Sequence, residues 1–393
     1  MDASNRIASA IRGRWAAAAI FCINGFLVGS WAPQIPVFLI RLGISEFTLG
    51  LLILLFGAGA VSAMAWAGHL IAKHGSQWVL RLFAVAAAFG LLMVALAPDV
   101  WLAAAALFVF GGLVGGMDVT MNANAVVVEK KLGRAIMSSS HGFWSLGGFA
   151  GGALGGLIIQ TAGHLVHAAV VTVVALAAVG FAYRHIVADE IVAAPEHRRF
   201  VLPRAPIIYV LGLMALLGMN SEGAVLDWSA LYLREELGSD LATAGLAFAG
   251  FAGAMALMRF LGDAVRNRFG AVATMRLSSL VSTLGMLVAG LAPSPWIAIA
   301  AFAVCGLGIA NVVPIIFSAA GNQPGTSPGA GMSVVTLMGY SGILAAPSAI
   351  GFVGEHVGFA PVYVAVAALL GVVCVMSGLV RNADFDKAGA PLA

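Results

Sequence analysis

Residues 81–105 read RLFAVAAAFGLLMVALAPDVWLAAA, and residues 276–300 read RLSSLVSTLGMLVAGLAPSPWIAIA. The two segments are 195 positions apart, and both begin with Arg-Leu and contain Leu-Ala-Pro-x-x-Trp. Each consists of two apolar runs around a proline turn, and a helix needs roughly 20 apolar residues to cross a membrane. The pattern predicts a duplicated helical membrane protein.

The same offset relates positions along the rest of the chain. Chance identity is common in apolar sequence, but these matches keep one register across different segments. Since six spans separate equivalent points, we expect the halves to share one orientation, as in a parallel repeat about the membrane normal. The matching pairs are Gly50 with Gly245, Phe56 with Phe251, Gly75 with Gly270, Met137 with Met332, Gly147 with Gly342, and Gly156 with Gly351.

Composition excludes a water-soluble protein. Of 393 residues, 61% are hydrophobic and 9% are charged, whereas soluble domains carry about 25% charged residues. Twelve apolar segments are separated by charged or turn-forming residues. The predicted fold is therefore all-α and polytopic, with twelve transmembrane helices in two parallel six-helix repeats. We expect an N-terminal bundle over 1–184, a linker loop over 185–204 and a C-terminal bundle over 205–393.

Basic residues fall mostly on one side of the predicted spans. With the N-terminus placed inside, the outer loops hold only Arg41 and Arg234, and Arg259 lies within a span. The remaining lysines and arginines lie in inner loops or at inner helix ends, as the positive-inside rule requires. This bias predicts cytoplasmic termini and a bacterial inner-membrane location.

Four segments carry a resemblance to a known family. They are GMDVTMNANAVVVEKKLGRAIMSSSHGFWSLGG (116–148), NSEGAVLDWSALYL (220–233), RFLGDAVRNRFG (259–270) and LGIANVVPIIFSAAG (307–321). With the six-plus-six arrangement, the chain resembles the major facilitator superfamily over essentially its whole length, and it is most similar to the bacterial YbjJ-like branch. The resemblance implies a secondary transporter in which two bundles rock about a midplane site.

The resemblance also implies a cytoplasmic gate. Between spans two and three the superfamily often carries a Gly-x-x-x-Asp-Arg-x-Gly-type motif, but this chain has GHLIAKHG (68–75), without an acid. The second half retains an acid, Asp263, and two arginines, Arg266 and Arg268. Arg259 precedes Asp263 by one helical turn, so an internal salt bridge between them is expected. The gate candidates are Lys73, Glu129, Arg134, Arg259, Asp263 and Arg268.

Three acids lie within predicted spans, namely Asp118, Glu222 and Asp227. Charged groups in the hydrocarbon core are costly and usually face a cavity or a partner. A carboxyl removed from water can exchange a proton near neutral pH, so Glu222 and Asp118 are the first proton-coupling candidates. His141 is the third, as a relay. The alternatives are structural pairing for each of these groups and an interfacial anchor for Asp227.

Amides and aromatic rings near the midplane suggest a polar-solute cavity. Such groups suit a hydroxylated or zwitterionic solute, but they also hold neighbouring helices together. The cavity candidates are Asn24, Trp31, Gln34, Asn122, Asn220, Asp227, Asn311 and Tyr340.

The favoured function is proton symport of a small polar solute, sugar-like or another metabolite, by a monomer in contact with lipid. Proton-driven export of metabolites or drugs is the alternative, because the sequence does not encode direction. A remote alternative is a membrane-embedded acyl-transfer enzyme using Asp118, His141 and the serines of 138–140, and a sensing receptor without flux is a third class. We expect no enzyme activity, no cofactor, no metal site and no nucleic-acid partner.

Overall fold

The computed structural model describes residues 3–132, 136–189, 203–324 and 328–384; among these, the side chains of 3–10, 138, 263, 328–330, 343 and 344 are not described. The described residues form helices throughout. They are α1 (Ala3–Trp31), α2 (Ile35–Leu42), α3 (Glu46–His74), α4 (Ser76–Ala87), α5 (Gly90–Leu96), α6 (Val100–Leu132), α7 (Met137–Ala162), α8 (His164–Tyr183), α9 (Pro206–Glu235), α10 (Leu241–Phe269), α11 (Ala271–Gly290), α12 (Pro295–Ile309), α13 (Val312–Gly321), α14 (Pro328–Val357) and α15 (Phe359–Val375), with 3₁₀ segments at Ala32–Gln34 and Met376–Ala383.

Twelve of these helical segments are long and apolar enough to cross a membrane, which confirms the predicted fold class. Four spans are composite, because a break divides the helix: α1 with α2, α4 with α5, α12 with α13, and α15 with the final 3₁₀ segment. In the first span the 3₁₀ break contains Pro33 and is followed by Pro36. Proline removes a backbone donor, so the regular helix is interrupted there.

The turns between spans repeat with the sequence. Positive φ angles among the described residues occur at six glycines, which form three pairs 195 positions apart. Gly43 and Gly238 have φ of 60° and 67°, and Gly75 and Gly270 have φ of 78° and 79°. Gly163 and Gly358 complete the set at 88° and 85°. These turns need glycine because a side chain disfavours positive φ.

The two ends of the molecule differ in charge. We call the end that carries Lys73, Lys130 and Arg268 the basic end, and the opposite end, with the Gly43 and Gly238 turns, the far end. At the basic end Asp189 accepts hydrogen bonds from the backbone N–H groups that begin α4, 2.7 Å from the nitrogen of Ser76. Asp384, its equivalent by the same offset, accepts from the N–H that begins α11. The repeat thus extends beyond 184, into a predicted linker whose residues 190–202 lie outside the described part.

Glycines of α7 pack two different helices closely. A Cβ on Gly147 would lie 1.9 Å from the carbonyl oxygen of Cys22 on α1, within the same half. A Cβ on Gly156 would lie 2.4 Å from the carbonyl oxygen of Leu241 on α10, in the other half. The glycines of α7 therefore lie on two faces of the helix. Gly147 packs within the N-terminal bundle and Gly156 packs against the C-terminal bundle, and small residues of this kind let membrane helices approach closely.

The halves meet at the far end and along α7 and α10. At the far end Ser348 Oγ donates to the carbonyl oxygen of Gly50 at 3.3 Å. Deeper in the molecule, the rings of Phe143 and Phe260 meet edge to face with centroids 5.5 Å apart.

At the basic end, hydrogen bonds tie each half to itself. Lys131 Nζ donates to the carbonyl oxygen of Ala188 at 2.7 Å, and Arg276 Nε donates to Ser377 Oγ at 3.2 Å. The far end is the one at which hydrogen bonds between the halves are described, and it is therefore closed.

Candidate functional site

An ion pair lies near the middle of the seventh and eighth spans. Arg259 Nη2 lies 3.7 Å from Glu222 Oε2, and the two side chains are 17% and 24% exposed. Opposite charges within about 4 Å in a membrane protein satisfy each other's cost of burial. The predicted partner of Arg259, Asp263, has a side chain outside the described set, so that pairing stays a prediction. Sequence spacing did not reveal the pair with Glu222, because the two residues lie on different helices.

Arg259 also reaches the other half of the molecule. Its Nη1 donates to Ser145 Oγ on α7 at 2.5 Å, and its guanidinium carbon lies 5.9 Å from the ring centroid of Trp144. Trp144 Nε1 in turn donates to Asn24 Oδ1 at 2.8 Å, and Asn24 is 1% exposed. The cation of the C-terminal half is thus held against a hydrogen-bonded wall of the N-terminal half.

Asp118 and Tyr340 belong to the same neighbourhood. Tyr340 on α14 interacts electrostatically with both Asp118 and Glu222, although Asp118 belongs to the opposite half. Asn122 Nδ2 donates to the backbone oxygen of Asp118 at 2.9 Å and lies 3.4 Å from its Oδ1. Asp118 is half-buried. Both acids therefore face the space between the halves rather than the lipid, and we call Asp118, Ser145, Glu222, Arg259 and Tyr340 the central cluster.

His141 lies one turn from Ser145 on α7. Its ring packs edge to face on Phe21, with centroids 5.2 Å apart, and it experiences the charge of Arg259. Residues four positions apart lie on one helix face, so His141 and Ser145 share the face of α7 that approaches Arg259 of the other half.

Asp227 occupies a separate buried position towards the far end. It is 9% exposed, and its carboxyl group lies close to Trp31 of the opposite half. With Asn220 and Trp228 it lines a cavity of about 20 Å³, which is enough for one water molecule. Within the described part of the chain, Asn220 Oδ1 and Trp228 Nε1 have no hydrogen-bond partner. The contact between Trp31 and Asp227 joins the halves.

Two further cavity candidates make contacts typical of helix packing. Gln34 Nε2 donates to the carbonyl oxygen of His164 at 2.9 Å and lies 2.8 Å from His167 Nδ1. Asn311 Nδ2 lies 3.4 Å from Ser278 Oγ, and both Gln34 and Asn311 are buried. These contacts correspond to the interhelical alternative for the two amides.

The gate candidates are dispersed. Lys73 and Arg268 are exposed at the basic end. Glu129 Oε1 accepts from the backbone nitrogens of Ile136 and Met137 at 2.7 and 3.0 Å, so it fixes the loop that precedes α7. Arg134 lies outside the described residues, and Arg259 lies deeper, in the central cluster. Sequence reasoning singled out none of the contacts of Arg266, which donates to Ser318 Oγ at 2.8 Å.

The residues proposed for acyl transfer are not arranged as a catalytic triad. Ser140 Oγ donates to the carbonyl oxygen of Ile136 at 2.9 Å, and Ser139 Oγ accepts from Arg14 Nη2 at 2.6 Å. His141 packs on Phe21, and Ser138 has a side chain outside the described set. A nucleophile bonded to its base, which such chemistry needs, is not formed by the described serines.

Twelve spans in a parallel duplication, with a charged cluster between the halves, define a polytopic membrane transporter. The chain belongs to the major facilitator superfamily. Residues 208–391 match the Major Facilitator Superfamily family. Over 350 residues the chain is 35% identical to an uncharacterized MFS-type transporter of Yersinia pestis, covering 89% of this chain and 91% of that protein. It is also 33% identical over 341 residues to the membrane protein MosC of Rhizobium meliloti, covering 86% and 83% of the two chains.

Solved structures share the fold at low identity. The nucleoside transporter NupG superposes with a TM-score of 0.72 and 14% identity, covering 95% of this chain and 98% of that chain. A D-xylose–proton symporter gives 0.70 and 14%, covering 93% and 97%. The E. coli fucose:proton symporter gives 0.64 and 17%, covering 95% and 99%. These similarities confirm the fold, and the family shown by the relatives above makes the protein a transporter rather than an enzyme. The assignment to the YbjJ-like branch stays a prediction.

Proposed function

We propose that the protein is a monomeric proton-coupled symporter of a small polar solute in a bacterial inner membrane, with both termini in the cytoplasm. The observation that carries the proposal is the Glu222–Arg259 ion pair, which contacts the opposite half through Ser145. An ionised acid and a cation placed between two moving halves give a group that can be discharged by a proton and a group that a solute can contact.

The chemistry of the pair supplies the coupling. When Glu222 takes up a proton, its attraction for the guanidinium falls and Arg259 becomes available to oxygen atoms of a solute. Arginine presents five N–H donors in a planar fork, and its contact with Trp144 provides an apolar wall beside them. Binding of the solute and protonation of Glu222 thus favour one another, which is the reciprocity that symport requires.

Asp118 is the second coupling candidate, and His141 is the third. Tyr340 lies within electrostatic range of both Asp118 and Glu222, so a charge change at either acid is felt on α14. Because α6 and α14 belong to different halves, protonation of Asp118 alters the interaction between them. A ligand or proton can shift a conformational equilibrium only by its difference in affinity for the two states, and this placement supplies such a difference.

The conformation follows from the contacts between the halves. If the basic end is cytoplasmic, as the positive-inside rule indicates, the closed far end faces outwards. Carriers of this fold include a D-xylose–proton and a fucose:proton symporter, so the architecture accommodates proton-coupled sugar uptake. Proton-driven export requires the opposite linkage, in which the proton and the solute compete for the same cluster, and it is the alternative outcome of the transport test.

The decisive experiment begins with a thermal-shift screen of the purified protein against sugars, nucleosides, amino acids and vitamins, since a bound ligand raises the melting temperature. The first ligand found is then followed in proteoliposomes under an imposed pH gradient. We expect Glu222→Gln to abolish proton-driven accumulation while retaining exchange without a gradient. Export shows as solute extrusion driven by an inward proton gradient.

The matched control is Asp99→Asn, which makes the same change in an exposed loop of the far end. Asp99 Oδ1 accepts from the backbone nitrogens of Trp101 and Leu102, both at 2.9 Å, and an amide oxygen can do the same. This variant is expected to accumulate solute normally. Full pH-dependent accumulation by Glu222→Gln would contradict the coupling role of Glu222.

A further inference from the structure

Two equivalent hydrogen bonds join the halves at the far end. Glu355 Oε2, at the end of α14, accepts from the backbone nitrogen of Phe47 at the start of α3, 3.0 Å away. Gln160 Oε1, at the end of α7, accepts from the backbone nitrogen of Ala242 at the start of α10, 2.9 Å away. The acceptors are 195 positions apart, and so are the donors. Each contact joins the two halves.

The donors are groups that a helix cannot satisfy by itself. The first N–H groups of an α-helix have no intrahelical acceptor, so each of these helix starts needs an outside oxygen. Ser45 Oγ accepts from the nitrogen of Thr48 at 3.3 Å, and Asp240 Oδ1 accepts from that of Thr243 at 2.7 Å. The neighbouring N–H, at Phe47 or Ala242, is the one left for the opposite half.

Charge is divided between cap and partner in opposite ways. On α3 the cap is the neutral Ser45 and the partner is the charged Glu355, whereas on α10 the cap is the charged Asp240 and the partner is the neutral Gln160. A helix N-terminus favours a negative charge nearby, and two carboxylates on one helix end would repel each other. The first turn of α3 also contains Glu46, whose carboxyl group lies close to Glu235 of the opposite half.

Close backbone contact accompanies both hydrogen bonds. One turn before Glu355, a Cβ on Gly351 would lie 2.4 Å from the carbonyl oxygen of Glu46. One turn before Gln160, a Cβ on Gly156 would lie 2.4 Å from the carbonyl oxygen of Leu241. Glycine thus lets each helix end approach the other half closely enough for its side chain to reach the free N–H.

We propose that Glu355 and Gln160 are two equivalent latches that hold the far end closed by capping helices of the opposite half. Each latch makes its hydrogen bond only while the far end is closed, so each biases the equilibrium towards that state. The inference rests on the alternating access proposed above, but it needs no knowledge of the solute. Glu355 is the stronger of the two latches, because hydrogen bonds to charged groups are stronger than hydrogen bonds between neutral groups.

The experiment measures the separation of the halves in detergent or nanodiscs without solute. Spin labels replace Trp101 and Trp296, which are equivalent positions at the far end and are 82% and 63% exposed. The native cysteines are first changed to alanine. We expect Glu355→Leu to raise the ratio of far-open to far-closed molecules roughly tenfold, because it removes a hydrogen bond to a charged acceptor. Gln160→Leu is expected to raise it roughly threefold, since both latch residues are exposed and water competes for the donor.

Two further sets of variants separate the latch from general damage. Thr161→Ala changes the residue next to Gln160. Thr161 Oγ1 donates to the carbonyl oxygen of Leu157 in the same helix at 2.8 Å, so this variant is expected to leave the distances between the spin labels unchanged. Gln160→Glu is expected to open the far end, because it adds a second carboxylate beside Asp240. Combining it with Asp240→Ser recreates the arrangement of the other latch and is expected to restore closure.

Unchanged distance distributions in Glu355→Leu and Gln160→Leu would overturn the proposal, as would an open far end in the combined variant. Since the readout is a distance, loss of transport by itself counts neither for nor against the latches. A protein that transports nothing but responds as described would refute the proposed function and leave this inference standing.

Discussion

A single methyl group on Gly147 is expected to destabilise the N-terminal half. The Cβ of Gly147→Ala would lie 1.9 Å from the carbonyl oxygen of Cys22 and 2.8 Å from the backbone nitrogen of Phe26. Both atoms belong to the backbone of α1, so no side chain can rotate away. The contact is mutual, because a Cβ on Gly25 would lie 1.9 Å from the carbonyl oxygen of Trp144. Helix α1 would have to move as a body.

The magnitude follows from two opposing terms. Overpacking a well-packed interior costs about 1–3 kcal/mol, and replacing glycine by alanine in a helix returns roughly 0.8–1 kcal/mol. Because the clash is with backbone atoms that cannot rotate away, the upper end of the overpacking range applies, and the net loss of unfolding free energy is expected to be about 2 kcal/mol. Because the unfolding entropy is about 2.1 cal/mol/K per residue, each kcal/mol corresponds to roughly 1 °C in a chain of 393 residues, and the melting temperature should fall by about 2 °C.

The assay is thermal unfolding of the purified protein in detergent, compared with Gly180→Ala. Gly180 lies in α8, and a Cβ there would meet no described atom within 4 Å apart from its own helix backbone. The same substitution at this position therefore gains helix propensity without a clash, and it is expected to raise the melting temperature slightly. Equal melting temperatures for Gly147→Ala and Gly180→Ala would refute the close approach of α1 and α7.

Two other sets of variants test the site and the repeat. Arg259→Gln removes the cation beside the Glu222 carboxylate and is expected to lower the free energy of unfolding at pH 7 by about 1–3 kcal/mol, less than for a fully buried pair. Adding Glu222→Gln should recover most of this lost stability. A double variant that melts no higher than Arg259→Gln would contradict the ion pair. Asp189→Ala and Asp384→Ala each remove a helix cap, and each is expected to lower the free energy of unfolding by about 1 kcal/mol. Asp189→Asn and Asp384→Asn should melt close to the native protein. A lower melting temperature in the Asn variants than in the Ala variants would contradict the capping role.

The sequence predicted the identity of the acids that face the interior but not their partners. Asp118 and Glu222 stand out as charges in apolar spans, where they are costly. Their neighbours Ser145 and Tyr340 come from helices far away in sequence, so no spacing rule connects them. The predicted pair of Arg259 with Asp263 relied on one-turn spacing, whereas the pair with Glu222 depends on how α9 packs against α10.

The repeat explains why the charged residues were informative. By the same offset, Glu222 corresponds to Leu27 and Arg259 corresponds to Met64. Turns, caps and close glycine contacts occur in both halves, but the first half has apolar residues where the second half has this ion pair. Residues that break a duplicated pattern are therefore the ones that we associate with the solute and the proton rather than with the scaffold.

The amino-acid sequence by itself determined the number of spans, the parallel duplication and the side on which basic residues accumulate. These features depend on the hydropathy and charge of short segments, because the insertion and orientation of each span are set by its own residues and its flanking charges. Tertiary structure decided which end is closed, which helix faces the glycines of α7 meet, and which donors Glu222, Glu355 and Gln160 contact. Those features depend on how two bundles pack against each other, and contacts between residues hundreds of positions apart leave no local pattern in the chain.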